Sequence, residues 1–112
     1  MELAAEHLDD GILKLNLAGR MDARGASEID VQFAGYASRQ KAVVVDMSAV
    51  SFLASIGIRT LLLTANAMVN NGGKMVLLNP SANAAHILKL TSTDMHIPIV
   101  GSLEEARQVF AG

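Results

Sequence analysis

Asp46-Met47-Ser48-Ala49-Val50-Ser51-Phe52-Leu53-Ala54-Ser55-Ile56-Gly57 is the stretch on which the architecture turns. It leaves a strand, crosses a mostly apolar loop and delivers a serine to the start of a helix. Just before it, Ala42-Val43-Val44-Val45 is β-branched and lacks polar alternation, as expected of a central strand covered on both faces. Just after it, a helix is predicted from about Ser55 to Asn70, closed by Asn71-Gly72-Gly73, whose glycines can take the left-handed conformation of a C-cap. Lys74-Met75-Val76-Leu77-Leu78 then begins the next strand.

Upstream, Leu3 to Leu8 and Ile12 to Ala18 flank the turn Asp9-Asp10-Gly11 and read as a hairpin. Gly19-Arg20-Met21-Asp22 breaks the strand pattern. Asp22 can cap a helix with Ala26, Ile29, Phe33 and Tyr36 on one apolar face and Arg24, Ser27, Glu28 and Gln32 toward water. Downstream, Asn79-Pro80-Ser81 starts a third helix carrying Ala84, Ile87, Leu88 and Thr91 at helical spacing. Ile97-Pro98-Ile99-Val100 suits an edge strand, because Pro98 has no N–H to donate. Ser102-Leu103-Glu104-Glu105 matches a capping box, and the last helix buries Leu103, Ala106 and Phe110. The expectation is one α/β domain over residues 1–112, a mixed, mostly parallel sheet with about four helices packed on it.

With 112 residues, 51% of them hydrophobic and 18% charged, the chain can bury a single core, which excludes disorder as its main state. Nine basic against eleven acidic residues give a formal charge of -2 without a basic tract, so nucleic acid is not an expected partner. The absence of cysteine removes disulfides, thiolate nucleophiles and cysteine-based metal sites. The opening Met1-Glu2-Leu3-Ala4-Ala5-Glu6 lacks the basic start and apolar run of a secretory signal, and Phe52 to Val69 is interrupted by Arg59 and several hydroxyls. A cytoplasmic chain without direct membrane insertion is expected.

His7, His86 and His96 fall in different elements and form no HxxxH or HxH pair, so no metal is expected. The pairs Asp9-Asp10 and Glu104-Glu105 fit a turn and a helix's first turn. No glycine-rich loop precedes a helix in the manner of a phosphate cradle. Asp46 stands near the position of a receiver-domain phosphoacceptor, but no acidic pair from an earlier strand joins it.

The segment from Asp46 to Gly57 resembles the STAS domain, and within it the stand-alone anti-sigma factor antagonists, whose pattern is D-[LM]-S-x-V-x-F-[LM]-D-S-[ST]-G before an apolar helix. Gly19-x-x-Asp22 and Gly72-Gly73-x-Met75 also stand where that family has comparable motifs, so the likeness covers nearly the whole chain. The resemblance implies a STAS-like fold and a phosphoacceptor serine at Ser55. It implies as partner an anti-sigma factor that doubles as an ATP-dependent serine kinase, with a serine phosphatase to reverse the mark. The unphosphorylated antagonist holds the kinase and frees a sigma factor; phosphorylation releases it. No cofactor is implied for this chain, since ATP binds the kinase. The pattern departs at Ala54, where the family has an acid, at Ile56, where it has a second hydroxyl, and at Ser92, where it often has glycine.

Residue chemistry at Ser55 supports two readings: a serine at a helix start is a favoured N-cap, and a phosphate there meets free N–H groups and the positive end of the dipole. On a helical wheel Ile58, Leu61, Leu62, Ala65 and Val69 face inward, and Ile56, Arg59, Thr60, Leu63 and Ala67 outward. The expected partner-binding set is Asp22, Ala54, Ser55, Ile56, Gly57, Arg59, Leu63 and Ala67, with Arg59 meeting an acid of the partner. The departures at Ala54 and Ile56 leave an alternative: a constitutive subunit of a larger assembly, such as the cytoplasmic module of a membrane transporter. A hydrolase with Ser55 as nucleophile is disfavoured because no base is placed for it.

Overall fold

Hydrogen bonding joins β1 (Glu2–His7), β2 (Leu13–Met21), β3 (Ala42–Leu53), β4 (Lys74–Leu78) and β5 (Ile99–Val100) into one sheet whose spatial order equals chain order. The structure, a computed structural model, describes residues 1–112. β1 runs antiparallel to β2, and every later pair is parallel. The helices are α1 (Ala23–Ala37), α2 (Ser55–Asn70), α3 (Ala82–Leu90) and α4 (Leu103–Ala111), with a 3-10 turn at Thr93–Met95. This is the mixed, mostly parallel α/β sheet that the sequence predicted.

Right-handed crossovers that always step to the next strand in the same direction place α1, α2 and α3 on one face. Ile29 and Phe33 of α1, Ile58, Leu61 and Met68 of α2, and Leu88 of α3 therefore share a core with Leu13, Leu15, Val43, Val45 and Leu77. The other face of the sheet carries a smaller core, Ile12, Val44, Val76, Leu78 and Val100, closed by Ala106 and Phe110 of α4. Val43, Val44 and Val45 are sealed on both sides, which explains their lack of alternation. Arg107 Nε donates to Asp10 Oδ2 at 2.6 Å and ties α4 to the hairpin turn.

Three details differ from the sequence reading. The Gly19–Asp22 segment does not interrupt the strand, because β2 continues to Met21 by pairing with an equally extended β3. Asp46–Leu53 is not a loop but the second half of that strand. Tyr36 is exposed and Ala37 fills the buried position on α1, while Thr91 is the exposed C-cap of α3.

The ends of the helices follow their local chemistry. Gly72 N–H returns to Val69 O and Gly73 N–H to Met68 O at 2.7 Å, with Gly72 at φ +81°, so α2 ends in a Schellman motif. Ser102 accepts from Glu105 N–H, and Glu105 reaches back to Gly101 N–H. Ser92, where the resemblance has glycine, takes φ 58° and bears a left-handed strain of about 1 kcal/mol.

Two glycines of α1 test this packing in opposite directions. A Cβ on Gly25 would run into the Arg20 carbonyl oxygen, whereas one on Gly35 would meet nothing within 4 Å. Gly25→Ala is expected to lower stability by about 2 kcal/mol, and Gly35→Ala to raise it by roughly 0.5–1 kcal/mol, as read from urea unfolding midpoints.

Candidate functional site

The site is built by two irregularities in β3. Between Asn16↔Asp46 and Ala18↔Ala49, and again between Gly19↔Val50 and Arg20↔Phe52, β3 spends one more residue than β2, which is a β-bulge each time. Asp46 holds the first one: its Oδ1 accepts from Ser48 N–H at 2.9 Å and from Ser48 Oγ at 2.7 Å. Burial alone would push the Asp46 carboxyl up, but these two bonds and Lys14, at 3.5 Å, bring it below the usual carboxylate value. The Asp46 that the sequence left without a role is thus a structural acid.

The bulges carry β3 past the end of β4, whose pairing stops at Leu78↔Asp46. Ser81 Oγ donates to Val50 O at 2.9 Å and closes the edge that β4 no longer covers. At the far end Ala54 N–H donates to Met21 O at 3.0 Å, and the chain turns into α2. Ala54 occupies the N-cap position, and no side chain caps the helix. This corrects the capping reading of Ser55: it is the first helical residue, its exposed hydroxyl accepting none of the helix's own N–H groups. The first i→i−4 bond runs from Ile58 to Ala54, so the N–H groups of Ser55 and Ile56 precede the helical ladder.

Gly57 is also corrected. It is buried, and a Cβ there would lie 2.8 Å from Met21 Cγ, 2.9 Å from Met21 O and 3.0 Å from Leu53 Cδ1. It cannot touch a partner; it lets α2 start flush on the strand ends. Asp22 lies beside Ala54 by the register Met21↔Leu53. Its Oδ1 accepts from Gly25 N–H at 2.8 Å and caps α1, and its Oδ2 lies 3.4 Å from Arg20 Nε. The Gly25 N–H, with Arg20 behind it, holds the Asp22 carboxyl below its ordinary value. The Arg20 guanidinium lies 4.3 Å from the centre of the Phe52 ring, a contact that sequence spacing did not suggest.

Ile56, Arg59, Leu63 and Ala67 are exposed along α2 as the wheel predicted, with Leu63 59% accessible. Thr60 is half-buried. The inward face is rolled toward α1: Thr64 and Met68 are buried, and Val69, expected inside, is 62% accessible. The cause is α1 itself, against which Thr64 sits with Ala34, and the hydropathy of α2 alone does not register a neighbouring helix. Val31 and Ala34 of α1 face Leu63 across that seam and extend the apolar strip. No three His, Cys, Asp or Glu side chains converge to hold a metal, and no helix is long and apolar enough to cross a membrane.

Comparison with known proteins agrees with this geometry. The model of the STAS domain family matches residues 5–106. A Bordetella bronchiseptica protein assigned as the anti-sigma factor antagonist BtrV is 23% identical over 111 residues, covering 98% of this chain and 95% of that one. An anti-sigma factor antagonist from Mycobacterium paratuberculosis has the same fold, with TM-score 0.85 at 24% identity over 99% of this chain and 94% of its own. The anti-sigma factor antagonist SpoIIAA, in its unphosphorylated form, gives TM-score 0.78 at 16% identity over 99% and 98%.

The cap at Asp22 makes a pH-dependent contribution. Because its carboxyl is lowered from 3.8 on folding, the contribution is fully present above that value and fades as pH falls through the lower, folded one. Asp22→Ala should therefore lower the urea midpoint at pH 6, and the gap to wild type should close steadily below pH 4 as both chains are titrated toward pH 2.

Proposed function

Since the chain belongs to the STAS domain family, we propose that it is an anti-sigma factor antagonist that captures an anti-sigma factor with serine-kinase activity and lets it go when Ser55 is phosphorylated. The chain is a binding partner in this scheme, and the ATP and the catalytic groups belong to the kinase. The observation that carries the reading is the placement of Ser55: an exposed hydroxyl on the first turn of α2, released from capping duty because Ala54 takes that position.

A phosphate at this position adds a charge of about -1.5 to -2 and three acceptor oxygens. The Ser55 and Ile56 N–H groups and the positive end of the α2 dipole favour that charge, so the modification leaves the fold intact. Its effect falls on the partner, whose surface is fitted to a neutral hydroxyl and then meets a solvated dianion. The apolar strip from Ile56 to Leu63 and Ala67 supplies area for docking, with Asp22 and Arg59 at its polar margin.

Incubation with ATP and the anti-sigma factor kinase encoded by the same genome tests the switch. One phosphate is expected, lost in Ser55→Ala, and Ser55→Glu should bind the kinase at least about 10-fold more weakly than wild type. Equal binding by wild type and Ser55→Glu, without phosphate on Ser55, rejects it. Binding that is lost in Leu63→Asp but unchanged in both Ser55→Ala and Ser55→Glu would instead assign the domain to a constitutive assembly.

A further inference from the structure

We infer that the seam between α1 and α2 is where two copies of this chain pair, about a two-fold axis running along it. The two helices point the same way, since each returns from the end of one parallel strand to the start of the next. Their residues meet at matching levels: Asp30 and Val31 beside Thr60, Ala34 beside Leu63 and Thr64, and Ser38 beside Ala67. A two-fold along the seam keeps each level and exchanges the helices, so α1 of one copy lies on α2 of the other. Val31 then falls on the second copy's half-buried Thr60, and Leu63 on its small Ala34. Val31 and Leu63 are 84% and 59% accessible, and beside them two adjoining hollows of about 310 and 160 Å³ share Ala34, Leu63 and Thr64. The projecting side chains of one copy have hollows to enter in the other.

Charge selects the occupant. α1 carries Arg24, Glu28 and Asp30, and α2 carries Arg59 alone. Arg24 and Glu28 lie 4.0 Å apart, and Glu28 also holds the Met1 ammonium. Asp30 and Arg59 are both exposed, and neither has an ion-pair partner within 4 Å. Asp30 is the only charged residue lining the hollows, and Arg59 adjoins Thr60 across from it; Glu2, Arg20, Asp22, Arg39 and Lys41, at strand and helix ends, line neither. The seam is thus neutral, with one free charge of each sign at the same level on opposite helices. The two-fold brings each Asp30 to the second copy's Arg59 and pairs all four charges. A partner of single sign would leave one of them opposed.

Helices of 15 and 16 residues are about 23 Å long, and two side by side offer roughly 500 Å² from each copy, the size of a weak interface. The pair therefore forms at high concentration and comes apart on dilution. It covers Leu63 and Ala67, so a partner that docks on them, which rests on the function proposed above, must separate the copies first.

The test is sedimentation equilibrium of the chain alone at low salt, from about 10 µM to about 1 mM. The wild-type mass is expected to rise from that of a monomer toward that of a dimer, and Leu63→Asp to stay monomeric throughout. Asp30→Arg leaves two positive charges on each seam and Arg59→Asp two negative ones, so each variant alone should associate at least about 5-fold more weakly than wild type. Mixed in equal amounts, the two should form a heterodimer at least about 10-fold tighter than either self-pair, and both substitutions in one chain should recover wild-type pairing. A wild type that is monomeric at about 1 mM, association untouched by Leu63→Asp, or a mixture no tighter than its components overturns the inference. A chain that never pairs, and whose Leu63 only the kinase needs, likewise overturns it and gives the seam to that partner. Phosphorylation of Ser55 in a chain that never pairs leaves the switch standing, and pairing in a chain whose Ser55 the kinase ignores leaves the dimer standing.

Discussion

One carboxylate sets the path of the strand on which the site depends. Asp46 takes the N–H and the hydroxyl of Ser48, and β3 bulges there instead of keeping step with β2. Strict alternation after Val43, Val45 and Met47 would turn Ala49, Ser51 and Leu53 toward the helices. With two extra residues the strand turns Val50 and Leu53 inward and leaves Ala49 and Ser51 outside. A hydroxyl and a methyl are exchanged for a buried valine, and burying such a side chain contributes about 1.5–3 kcal/mol.

The same extension decides where α2 begins. A strand that ended with β4 would start the helix lower, against the sheet's face, and its first residue would be covered. Here the strand runs on, Ser81 satisfies the carbonyl of Val50, and the Ala54–Met21 bond fixes the turn. Gly57 then allows the helix to sit directly on Met21. Ser55 reaches the rim through three backbone constraints, none of which involves its own side chain.

The strands, the four helices, the caps at Asp22, Ser81 and Ser102 and the end of α2 were legible because each is encoded locally, by a period or by a capping residue at a fixed offset. The second half of β3 was not. Its buried positions fall at Met47, Val50 and Leu53, a spacing of three produced by the bulges, and a search for alternation reads such a run as a loop. Contacts between elements were equally hidden. Nothing in α2 announces that α1 will cover Thr64 and leave Val69 in water, and nothing in either strand announces that Arg20 will lie on Phe52. Gly57 belongs to a legible motif, but the reason for a glycine there lies in Met21 of another strand, which packs against it. Ser55 was found by pattern, and its exposure follows from a register that no single segment contains.

A phosphoryl group at Ser55 would be a sufficient switch without movement of the backbone. Ser55 stands on the first turn of α2, where its own N–H and that of Ile56 precede the helical ladder. A phosphate carrying about -1.5 to -2 there would meet those N–H groups and the positive end of the helix dipole, so this chain would accommodate the charge where it stands. A partner surface fitted to a neutral hydroxyl has no such compensation. It would face a bulky solvated dianion, and release would follow from a local change of charge and size alone.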